Sequence, residues 1–152
     1  METTTEEKNF ATLMHLGSLS QVIIPLGNLI VPAIMWSSRK KDSQFIENNG
    51  KNIINFQLSI FFYSLMILLV GTVAAIVTFF SIINSNKFVF TEDYFETQFG
   101  SGNLTSLTLF LIFACFMWAF SKLLEFAIII YASVKASNGE VYKYPLTINF
   151  LK

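Results

Sequence analysis

Lys122 and Glu125 stand three residues apart in an apolar run, Leu104 to Val134, that holds no other charge. On a helix this spacing places both on one face, where they partly neutralise each other. A charge deep in a bilayer costs roughly 3 kcal/mol on insertion scales and turns toward the bundle interior. Two chemistries fit the pair. One is an ion or proton relay, or a polar contact with a transported substrate; the other is an ion pair that sets helix register. Counting inward from the helix ends at about 1.5 Å per residue brings Glu125 level with Asn28, Ser59 and Tyr63, and Lys122 nearer Gln21. A polar cluster of Gln21, Asn28, Gln57, Tyr63, Lys122 and Glu125 is therefore expected inside the bundle.

The remaining chemistry is sparse. One cysteine and one histidine exclude an intrachain disulfide and a His/Cys-rich metal site within a single chain. His15 reads as a hydrogen-bonding helix contact near the outer end of a first span, and Cys115, among phenylalanines, as a small packing residue. No phosphate loop, nucleophile triad or metal motif is visible, so neither an enzyme nor a cofactor is expected, and no nucleic-acid partner. An intramembrane enzyme built on His15 and Glu125 ranks last. Asn103–Leu104–Thr105 fits a glycosylation acceptor. Arg39, Lys40, Lys41 and Lys51 form a basic group suited to anionic lipid head groups, although orientation in a membrane alone asks for the same charges.

The elements that must position these residues follow from composition. Of 152 residues, 53% are hydrophobic, 13% are charged and 17 are phenylalanine, against about 25% charged in a soluble domain. The expected fold is an all-α integral membrane protein, a single domain over 1–152, with the lipid bilayer as its solvent. A bilayer core needs roughly 20 apolar residues of helix. Three runs qualify, at about 10–36, 53–83 and 104–134, giving a bundle of three long transmembrane helices. The first is kinked by Pro25 and Pro32. Strands are excluded because the runs are long and do not alternate. Gly71, Ala74, Ala75 and Thr78 offer a small-residue face for close helix approach.

Charge orients the spans. The first loop carries Arg39, Lys40, Lys41 and Lys51, and the tail 135–152 adds Lys135, Lys143 and Lys152. The second loop is acidic, with Glu92, Asp93 and Glu96 beside Lys87. Positive charge stays inside, so the C-terminus is expected in the cytoplasm of a bacterial inner membrane and the acidic N-terminus outside, with no cleavable signal peptide. A competing topology makes the first segment re-entrant, turning at Pro25–Asn28 with both ends cytoplasmic. Gly50 is read as a turn before the second helix, which then starts near Asn55 and Gln57. Asn138–Gly139 is read as a left-handed cap ending the third.

The stretches "HLGSLSQVIIPLGNLIVPAIMW", "FIENNGKNIINFQLS" and "VKASNGEVYKYPLTINFL" together resemble a family of small bacterial membrane proteins of unknown function (DUF forty-eight-seventy). That family is grouped with the Tic-twenty-like components of the chloroplast inner-envelope import machinery. The resemblance covers nearly the whole chain and rests on His15, Pro25, Gly27, Asn28, Pro32, Trp36, Gly50, Lys51, Asn55, Gln57, Gly139, Tyr142, Tyr144 and Pro145. It implies a non-enzymatic bundle acting in a membrane complex, as a homo-oligomer or with a membrane-protein partner. The alternative is an oligomeric ion or small-solute channel or transporter subunit that uses Lys122 and Glu125.

Overall fold

A computed structural model describes residues 3–84 and 101–151. The acidic loop with Lys87, Glu92, Asp93 and Glu96 lies outside them, as do the side chains of Ala74, Ala75, Thr78, Asn103 and Thr105. The described residues form four α-helices and one 3-10 turn: α1 (Thr5–Gly17), the 3-10 turn (Ser18–Val22), α2 (Gly27–Arg39), α3 (Gln44–Asn84) and α4 (Ser101–Ser137). No strand occurs among the described residues.

α1 opens on a capping box. Thr4 Oγ1 accepts from the Glu7 N–H at 3.2 Å, and Glu7 Oε2 accepts from the Thr4 N–H at 2.8 Å. The helical ladder then fails between Val22 and Gly27. Pro25 has no N–H to continue it, and Leu26 takes a left-handed conformation at φ 60°. Gly27 closes the turn: a Cβ there would lie 2.7 Å from Ser20 Oγ and 2.9 Å from the Ser20 carbonyl.

The chain reverses at that turn instead of continuing through it. A Cβ on Gly17 would sit 2.9 Å from Val31 Cγ1. The Arg39 guanidinium lies 4.9 Å from the Phe10 ring centroid, and its Nη2 is 2.9 Å from Glu6 Oε1. Residues 17 and 31, then 10 and 39, face each other in antiparallel order. The run 10–36 is thus a helical hairpin whose ends meet, not one kinked helix. Each arm has 13 residues, about 20 Å of helix, short of a bilayer core about 30 Å thick. This corrects the first of the three expected spans and has the form of the re-entrant alternative.

Two helices, α3 and α4, are long and apolar enough to cross a membrane. α3 starts at Gln44, well before Asn55, with Ser43 Oγ accepting from the Ile46 N–H at 3.3 Å. Gly50 lies inside it and is not a turn. α4 ends as its sequence asks. Gly139 has φ 85°, its N–H donates to the Ala136 carbonyl at 2.9 Å, and the Glu140 N–H donates to the Lys135 carbonyl at 3.0 Å. This is the Schellman pattern.

The chain divides into two compact units. The first comprises Met1–Ser64 and Leu123–Lys152, the second Leu65–Lys122. In the first, Met14, Ile53, Ile54, Phe56, Ile129, Ala132 and Tyr144 form the core. N-terminus and tail meet there, since a Cβ on Gly139 would lie 2.8 Å from Thr3 Oγ1. In the second unit, Ile67, Val70, Phe113 and Phe116 are exposed, the surface expected of helices solvated by lipid. Cys115 is exposed as well, not packed, and nothing lies within 4 Å of a Cβ on Gly71.

Candidate functional site

Polar residues in the first half of α3 hold the tail. Asn52, Asn55, Ser59 and Tyr63 recur at a spacing that keeps them on one side of the helix, in a stretch whose other residues are apolar except Gln57. The tail from Val141 onward has no regular secondary structure, so its N–H and C=O groups need partners. Asn55 Nδ2 donates to the Leu151 carbonyl at 3.0 Å, and its Oδ1 accepts from the Leu151 N–H at 2.8 Å. Ser59 Oγ accepts from the Ile148 N–H at 2.8 Å and donates to the Asn55 carbonyl at 2.7 Å. Asn52 Nδ2 donates to the Tyr142 carbonyl at 2.7 Å, and the Tyr63 hydroxyl to that of Leu146 at 3.0 Å. Phe56 stacks on Tyr144 with centroids 4.2 Å apart. Asn55→Ala removes both bonds to Leu151. It is expected to cost about 2 kcal/mol and to speed proteolysis of the tail; an unchanged cleavage rate would contradict this clamp.

His15 ties three segments together. It is fully buried. Asn49 Nδ2 donates to the Phe45 carbonyl at 3.0 Å, which turns its Oδ1 toward the ring. Nε2 of His15, 3.0 Å from that oxygen, therefore carries the proton. Nδ1 is left as an acceptor for the Tyr144 hydroxyl at 2.7 Å. Burial lowers the His15 pKa to about 4, against the smaller opposing effect of the Asn49 hydrogen bond. Burial pushes the Tyr144 phenol upward. Both groups are neutral near pH 7, and each ring nitrogen of His15 is satisfied.

Two pairs among the residues expected to form one cluster are in contact. Gln21 Nε2 lies 3.4 Å from Glu125 Oε1, and Asn28 Nδ2 donates to Gln57 Oε1 at 2.7 Å. Gln57 and Glu125 are buried. Gln57 Nε2 has no hydrogen-bond partner among the described residues. Tyr63 turns to the tail, and Lys122, half-exposed, ends the second unit. His15 lies beside the tail, at the opposite end from that expected. The sequence reading passed over Asn49, Asn52, Tyr142 and Tyr144 as partners. The signal for Asn52 was available, because amides three to four residues apart on an apolar helix need acceptors on one side.

The basic residues also differ in their surroundings. Arg39 is engaged within the fold, with its Nε 2.7 Å from Asp42 Oδ2 in addition to the Glu6 contact. Lys51 Nζ is 2.6 Å from Glu47 Oε1. Lys40 Nζ stands 4.6 Å over the Trp36 ring, and Lys41 is exposed. Gly50 seats the indole: a Cβ there would be 2.9 Å from Trp36 Nε1 and closer still to Cγ and Cδ1.

Two apolar helices of spanning length and a hairpin packed with a polar, tail-clamped head define a small helical membrane protein. The chain belongs to the magnetosome magnetite crystal formation protein family (MamF/MmsF), which it matches over residues 6–151. No curated protein and no solved structure matches it. The family match overturns the resemblance to DUF forty-eight-seventy and the Tic-twenty-like proteins. Apolar helices carrying Pro and Gly, and a basic loop, recur in many unrelated membrane chains. Such positions are weak discriminators beside a match across the whole length. Neither the match nor the geometry lends support to a channel role.

Proposed function

We propose that this chain is a non-enzymatic protein of the magnetosome membrane that acts in magnetite crystal formation, with another copy of itself or a membrane-protein partner. The family match across residues 6–151 carries the reading. The geometry supports the non-enzymatic part. The one histidine is buried, neutral and saturated by Tyr144 and Asn49, so it is a poor proton carrier near pH 7. α3 and α4 anchor the protein, and the hairpin dips into the same leaflet from which it starts. Its tip supports that placement, with Val22 and Ile23 each 85% exposed and no water-seeking side chain between Val22 and Leu26. The positive-inside rule puts the head, both termini and the basic loop on the cytoplasmic side.

Deleting the gene in a magnetosome-forming cell is expected to change crystal size or number, and a plasmid copy to restore them. Unaltered crystals after deletion would overturn the proposal. Topology has its own readout. In a Cys115→Ser background, cysteines placed at Glu6 and at Lys143 are expected to react with a membrane-impermeant maleimide from one and the same side. Labelling from opposite sides would remove the re-entrant hairpin.

A further inference from the structure

We propose that a cleft between the end of α2 and the start of α3 binds a phosphate group, carried on an anionic lipid or free in solution. The cleft has a volume of about 540 Å³ and is lined by Trp36, Lys40, Lys41, Ser43, Gln44, Glu47 and Lys51. The lining carries three ammonium groups and one carboxylate, with the Glu7 carboxylate bonded to Ser43 beside them. Lys51 offsets Glu47 through their 2.6 Å contact, which leaves Lys40 and Lys41 as the uncompensated pair in the cleft wall. Arg39 offers no free cation to the cleft because Glu6 and Asp42 hold it. Ser43 is likewise occupied. Its hydrogen bond is the first cause that keeps the Glu7 carboxyl below its ordinary value, and its Oγ also accepts from the Ile46 N–H. Recognition therefore falls to lysines, which bind phosphate as point charges.

The wall beside Lys40 is built, not accidental. Gly50 lets the Trp36 indole lie against α3, and the indole holds Lys40 through its ring face at 4.6 Å. A lysine tethered in this way loses less freedom on binding than one moving in solvent. Tryptophan beside lysine is also the pairing that settles at the head-group level of a bilayer, where phosphate is the abundant anion. The proposal concerns this cleft alone and can fail while the role in crystal formation stands.

The full chain in uncharged detergent provides the test. Trp118→Phe leaves Trp36 as the single tryptophan reporter. Titration with short-chain phosphatidylglycerol, with inorganic phosphate and with sodium chloride at matched ionic strength separates the sources. A saturable change in Trp36 emission is expected with phosphatidylglycerol. Lys40→Gln together with Lys41→Gln should weaken it by about thirtyfold, at roughly 1 kcal/mol per lysine. Saturation by inorganic phosphate at similar concentrations would identify free phosphate as a sufficient ligand. Equal responses to both and to chloride, or undiminished binding by the double variant, would overturn the site. Lys41→Glu alone, at an exposed position that leaves the fold's contacts in place, should abolish saturation as well and guards against misfolding of the double variant.

Discussion

His15→Ala is expected to destabilise the protein by roughly 4 kcal/mol, the largest effect of any single substitution outside the hydrophobic core. The imidazole is buried with both nitrogens bonded, to Tyr144 at 2.7 Å and to Asn49 at 3.0 Å. Alanine leaves a buried hydroxyl and a buried amide oxygen without partners, each costing about 1–3 kcal/mol, and opens a cavity besides. Loss of the tie should also loosen the tail at Tyr144, which keeps its ring contacts with Phe56 and Tyr142. Denaturant unfolding in detergent, followed by tail proteolysis, measures both effects. A variant as stable as the parent would show that the network is incidental.

The same residue sets a dependence on acid. The folded pKa of about 4 lies below the ordinary 6.5, so the unfolded chain takes up the proton first. His15 therefore contributes its full stability above about pH 6.5. That contribution falls as pH drops through the interval and is gone below about pH 4, a loss of roughly 3 kcal/mol. His15→Ala should flatten this segment of the stability profile. Retention of the same slope would assign it to another group.

Gly50→Ala is expected to cost about 1–3 kcal/mol, the overpacking range, from a single added carbon. The new Cβ would overlap the Trp36 indole, 2.9 Å from Nε1 and closer to two ring carbons. Neither side yields easily, since Gly50 lies within α3 and Trp36 within α2. Either the ring swings out or the two helices part. Both outcomes remove the cleft wall and release Lys40 from its ring. In the Trp118→Phe background the expected signs are a lower unfolding midpoint and a shifted Trp36 emission. If neither moves, the close fit between Gly50 and Trp36 is not what seats the indole.

Helix and membrane class are legible in the residues because they depend on local or additive quantities. Long uncharged runs demand helices, since only a helix satisfies its own backbone in lipid. The end of α4 at Gly139 follows from one residue's freedom at positive φ. The polar positions on α3 were also visible as exceptions to an apolar pattern. Their partners were not. Asn55 could have met a neighbouring helix as readily as the two backbone groups of Leu151, because a side-chain amide carries a donor and an acceptor whatever faces it.

The hairpin marks the boundary most sharply. Pro25, Leu26 and Gly27 guarantee an interruption, because a proline cannot extend the ladder and a glycine permits the turn. An interruption is compatible with a kink or with a reversal, and local preference is blind to the difference. The direction taken depends on contacts between residues far apart in sequence, Gly17 on Val31 and Glu6 on Arg39, each weak alone and decisive together. What the chain determined by itself is a helical protein at home in a bilayer, broken near Pro25 and polar along one side of α3. Only the tertiary structure decided that the first segment folds back, that both ends gather in one head, and that a histidine read as peripheral is the residue around which that head closes.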